Sequence, residues 1–126
     1  MSVAKQKNLI SKVAQKIFEE ATASSLGSTF HVIICFHLKQ KFGKDPYEVF
    51  TESPKTFLDG LKEVLGEGAQ AVISLTGTYL TVKYDVNCTV EEFTGLFTKD
   101  DTSSIQRLRN ILESIITQEE HKLKAR

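Results

Sequence analysis

Residues 28–42 read STFHVIICFHLKQKF, and whether this stretch is helix or strand decides the fold. Phe30, Val32, Ile33, Ile34, Cys35, Phe36 and Leu38 leave almost no polar face in its first two turns. Such a β-branched run suits a buried strand as well as a buried helix, so periodicity alone does not choose. The end of the segment chooses: Lys39-Gln40-Lys41 tolerates helix, and Phe42-Gly43 supplies a glycine stop. Ser28 or Thr29 is placed to cap its start. The prediction is a helix over 29–42, so apolar that it should be the central one, covered on most sides by the others.

Upstream, Ile10, Val13, Ala14, Ile17, Phe18 and Ala21 recur at three- and four-residue steps, which predicts an amphipathic helix from about Val3 to Thr22. Downstream, Asp45-Pro46 and Ser53-Pro54 each set a cap residue before a proline, a helix start at both sites. The second helix carries Phe57, Leu58, Leu61, Val64 and Leu65 on one face and stops at Gly66. Ala71, Val72, Ile73 and Leu75 suggest a further short helix ending near Gly77.

The period then changes. Leu80, Val82, Tyr84 and Val86 alternate with Thr81, Lys83 and Asp85, the spacing of a strand with one apolar face. A lone strand leaves backbone groups unpaired, so it needs either the two-fold mate of a homodimer or a second short strand in the same chain. Thr89-Val90-Glu91-Glu92 has capping-box spacing for a short helix through Phe93 and Phe97. Ile105, Leu108, Ile111, Leu112, Ile115 and Ile116 mark a long C-terminal helix over about Ser103 to Lys124. The expected fold is mainly α: one compact multi-helix domain over 1–126, with one short β element near 79–86 and a long C-terminal helix.

Composition excludes several function classes. The chain is 40% hydrophobic and 25% charged, which is ordinary globular usage. Sixteen basic residues balance sixteen acidic ones, so no net field draws the chain to nucleic acid or to a membrane surface. Basic residues cluster only modestly, as at Lys39, Lys41 and Lys44, with no interleaved aromatics, so nucleic-acid binding ranks as a weak third function. The best apolar run, Phe30 to Leu38, is far short of the roughly 18 residues of a membrane span. Lys12, Gln15 and Lys16 break any secretory run, and a cytoplasmic location is the expectation. Cys35 and Cys88 are then two free thiols rather than a bridge.

Motifs for chemistry are nearly absent: the chain has no P-loop, G-x-G-x-x-G, H-E-x-x-H, C-x-x-C or G-x-S-x-G. His31 and Cys35, four residues apart, share a helix face and offer two metal ligands where a structural zinc needs four. His37 lies about 120° around the axis from His31 and does not join them. The paired acids, such as Glu91-Glu92, point about 100° apart and do not converge as catalytic carboxylates must. No metal, cofactor or catalytic residue is therefore assigned.

Leu26-Gly27, the run from Val32 through Phe36 into His37-Leu38, Phe42-Gly43, Phe57, the segment Leu61 to Ala69 and Val72-Ile73 resemble a small archaeal family of helical domains of unknown function. That family occurs alone or fused to signalling and regulatory proteins. The resemblance covers about residues 26–75 and implies a helical core and a regulatory or interaction role, with no catalytic residues.

The sequence thus points first to a non-enzymatic regulatory or protein-interaction module, a homodimer or a binder of another protein. Leu80, Val82, Tyr84, Val86, Ile111 and Ile116 are its candidate interface residues. The alternative is a small-molecule-binding or enzymatic domain with a pocket between helix 29–42 and the helix from Pro54. His31, Cys35, His37, Tyr47 and Tyr84 would be its polar groups.

Overall fold

The computed structural model describes the backbone of residues 3–124 and the side chains of residues 6–122. Among the described residues there are seven helices: α1 (Val3–Leu26), α2 (Ser28–Phe42), α3 (Pro46–Glu52), α4 (Pro54–Leu65), α5 (Gly68–Lys83), α6 (Val90–Gly95) and α7 (Thr102–Lys124). The mainly α class follows directly.

Local chemistry sets most boundaries. Asp45 caps α3, its carboxylate accepting the Tyr47 N–H at 3.0 Å. Thr89 and Glu92 form the full capping box of α6, at 3.1 and 3.3 Å. Asp101 caps α7 by accepting from the Ser104 N–H at 2.7 Å. Gly43 ends α2 at φ 71°, a left-handed conformation that only glycine adopts at no steric cost. The start of α2 differs from expectation, because Gly27 occupies the cap position and no side chain caps the helix.

No strand occurs among the described residues, and the expected β element at 79–86 is replaced by the last turns of α5. Ala69, Val72, Ile73, Thr76, Gly77 and Leu80 form one buried helical stripe, which Tyr84 continues just past the helix end. Leu80 and Tyr84 are therefore one turn apart on the same face, while Val82 points away and is 81% exposed. Alternation at 80, 82 and 84 fits a strand only when those residues are read without the stripe that leads into them. Nor does Gly77 end a helix: a Cβ there would meet the Phe93 ring at 3.0 Å, so glycine lets α5 and α6 pack closely. The backbone groups that a strand would leave unpaired are satisfied otherwise. The Tyr84 N–H donates to the Leu80 carbonyl, and the Gln118 amide both accepts from Asp85 N–H at 3.0 Å and donates to Asp85 O at 2.8 Å.

The central helix is α1, which packs on α2, α3, α5 and α7 and buries Ile10, Ala14, Ile17, Phe18 and Ala21. Around it sits an aromatic cluster. Phe57 meets Phe18 edge-on at 5.7 Å and Phe50 at 5.0 Å, and Phe50 meets Phe97 at 5.0 Å. The α2 helix, expected at the centre, lies on the outside against α1, α3 and α4 and buries only Ile34 and Leu38. Its close approach to α4 runs through Gly60, where a Cβ would fall 2.5 Å from Phe42 and 3.3 Å from Leu38.

Candidate functional site

The polar candidates do not converge on a reaction centre. His31 and Cys35 lie on the inner side of α2, as their spacing requires, but each is engaged with a neighbouring helix. His31 Nε2 lies 3.4 Å from Glu19 of α1, and Cys35 Sγ lies 2.9 Å from Tyr47 Oη of α3. Burial pushes the Cys35 thiol above its ordinary value, which the Tyr47 hydrogen bond only partly offsets. Tyr47 is likewise held well above the usual phenol range, by burial first and then by Cys35. A thiol that resists ionisation is a poor nucleophile. His31 Nδ1 is buried without a hydrogen-bond partner. His37 is on the far side, exposed, with its ring against Phe36 at 5.7 Å.

Tyr84 lies elsewhere, at the end of α5, and donates to Glu119 of α7. Lys16 of α1 also donates to Glu119, at 3.0 Å, and Lys83 joins Glu20 at 3.0 Å and Tyr79 Oη at 3.0 Å. Tyr79 donates to Glu20 as well. This network ties α1, α5 and α7 together; its acceptors and donors are used on one another. The space expected between α2 and α4 is filled by Leu38 and Phe42 against Gly60 and Phe57. Cys35 and Cys88 are both free thiols. Among the described residues, no three His, Cys, Asp or Glu side chains are grouped to hold a metal ion. No described helix is long and apolar enough to cross a membrane.

The candidate interface residues do not form one exposed surface. Leu80, Tyr84 and Ile111 are buried in the core, Val86 and Ile116 pack against it, and only Val82 faces solvent.

The apolar surface lies instead on α2. Val32 is 59% exposed, Ile33 51% and Phe36 59%, and Leu26 at the end of α1 is 49% exposed. Beside them runs a groove of about 260 Å³ with an almost wholly apolar lining: Leu26, Phe30, Leu65, Ala71, Val72 and Leu75. The groove is the gap left because α2 packs on α1, α3 and α4 rather than on α5. One signal for this surface is visible in the sequence. At 100° per residue, Thr29, Ile33, His37 and Gln40 share a face with Phe36, so polar groups interleave where a buried helix has none. The neighbouring lysines do not form a basic stripe, since Lys41 pairs with Glu63 and Lys44 with Glu52.

No family model, curated protein or solved structure matches the chain.

Proposed function

We propose that this protein is a non-enzymatic regulatory or protein-interaction module of the cytoplasm that works as a homodimer through the outward face of α2. One observation carries the reading: three large apolar side chains, Val32, Ile33 and Phe36, stand in solvent on one helix face beside an apolar groove. A contiguous apolar patch of this kind on a folded domain marks a contact surface. The polar side chains that would serve catalysis, by contrast, are scattered or spent on internal bonds. A second copy is the favoured partner, because sixteen cations balance sixteen anions and no charged side chain stands between Val32 and Phe36. The chain as a whole carries no net charge, and a net charge near zero favours association. The resemblance of residues 26–75 to domains fused to regulatory proteins points the same way, as an analogy.

The test is an amide and methyl chemical-shift series on the labelled protein over a wide dilution range. Concentration-dependent shifts should map to residues 29–40 and to the groove beside them. Shifts confined to another face, or shifts that stay constant while the mass stays monomeric, would overturn the reading.

A further inference from the structure

The α2 patch carries both a projection and a socket. Phe36 stands out by 59% of its surface, and the groove of about 260 Å³ opens beside Phe30. That volume falls below the roughly 300–1,000 Å³ of pockets for drug-sized ligands but has room for an aromatic ring. Phe30 and Phe36 lie three residues to either side of Ile33, and each is turned about 60° from it around the helix axis, in opposite senses. A two-fold axis through Ile33, with the two α2 helices crossing steeply, brings Phe36 of each copy to the groove of the other.

Resting on the reading of α2 as the contact face, we infer that the partner is a second copy docked isologously, with each Phe36 ring seated in the other copy's groove between Phe30, Ala71 and Leu75. In such a dimer the same patch serves on both sides, which is the condition that two-fold symmetry imposes. The four exposed apolar side chains, Leu26, Val32, Ile33 and Phe36, offer on the order of 400 Å². A standard interface covers about 800 Å² on each partner, so the apolar centre accounts for half. The polar shoulder of Thr29, His37 and Gln40 supplies the rim, as interfaces require. Such a dimer is in equilibrium with its monomer, and its population falls on dilution.

The discriminating experiment uses two full-length variants, Phe36→Lys and Ala71→Glu. Both sites are exposed, so both chains should keep wild-type far-UV circular dichroism. Each variant alone should dimerise at least about tenfold more weakly than wild type, by analytical ultracentrifugation. Mixed in equal amounts they should form a heterodimer. One native Phe36 then meets a native groove, and in the other contact the new lysine meets the new glutamate. If Ala71→Glu alone dimerises like wild type, or both variants are monomeric and the mixture stays monomeric, the ring-in-groove docking is wrong while α2 remains the contact face. If Phe36→Lys alone dimerises as wild type does, the contact face falls together with the docking.

Discussion

Replacing Leu38 and Phe36 separately by alanine asks the structure a sharp question, because the two side chains are two residues apart on one helix and have opposite surroundings. Leu38 is fully buried and packs where α2 approaches Gly60 of α4. Its truncation leaves a cavity that the helix backbone cannot close, at a cost of about 3–4 kcal/mol. Phe36 is 59% exposed, so about two-fifths of its surface is covered. Full burial of a phenylalanine is worth roughly 1.5–3 kcal/mol, which makes the covered part worth about 1 kcal/mol. Alanine's better helix propensity returns a few tenths of a kcal/mol, so Phe36→Ala should cost well under about 1 kcal/mol. The chain has no tryptophan, so urea unfolding is best followed by far-UV circular dichroism. The work should be done at a protein concentration low enough for the monomer to dominate. Repeating it at higher concentration should enlarge the Phe36→Ala loss, because association stabilises only the chain that associates. A loss for Phe36→Ala equal to that for Leu38→Ala in the dilute monomer would place α2 inside the bundle and refute its orientation.

Val82→Ala should be neutral or slightly stabilising by thermal unfolding, since an exposed β-branched residue is being removed from a helix; a clear loss would revive a strand at 79–86. Gly77→Val should cost about 1–3 kcal/mol in urea unfolding, because even a Cβ there meets Phe93 at 3.0 Å, and a neutral result would refute the tight α5–α6 approach. The Glu119 carboxyl is held below its ordinary value of 4.5 by hydrogen bonds from Tyr84 and then Lys16. Its contribution to stability is therefore full above pH 4.5 and lost as the pH falls through the lowered native value. The acid limb of a stability–pH curve should flatten in Glu119→Gln, and an unchanged limb would count against this bond. Tyr84, pushed up to about 12 by burial and then by Glu119, should form its phenolate near that pH in an absorbance titration; ionisation near 10 would contradict the packing.

What could be read from the sequence divides along physical lines. Helix stripes with many members, as in α1, and chemically explicit caps at Asp45, Thr89 and Asp101 carry their own local signal and needed no tertiary knowledge. The residues at 80, 82, 84 and 86 failed because four alternating positions satisfy a strand while two of them also extend a helical stripe that begins at Ala69. The longer pattern won, with Gln118 supplying the backbone partners that a second strand would have given. The α2 helix failed differently. Its type was legible, but its position was signalled only by Thr29, His37 and Gln40 interleaved on the Phe36 face, because an apolar helix is otherwise consistent with the core as well as with an exposed apolar surface. The site residues followed that error: His31 and Cys35 do share a face, yet that face is occupied by Glu19 and Tyr47. The exposed apolar surface lies on another side of the helix, at Val32, Ile33 and Phe36.

The most direct measurement is the mass of the wild-type protein in solution by light scattering across a dilution series, set beside that of Phe36→Glu. Wild type should be a dimer that dissociates on dilution, and the variant a folded monomer throughout. A wild-type monomer at every concentration, or a variant dimer as strong as wild type, would contradict it.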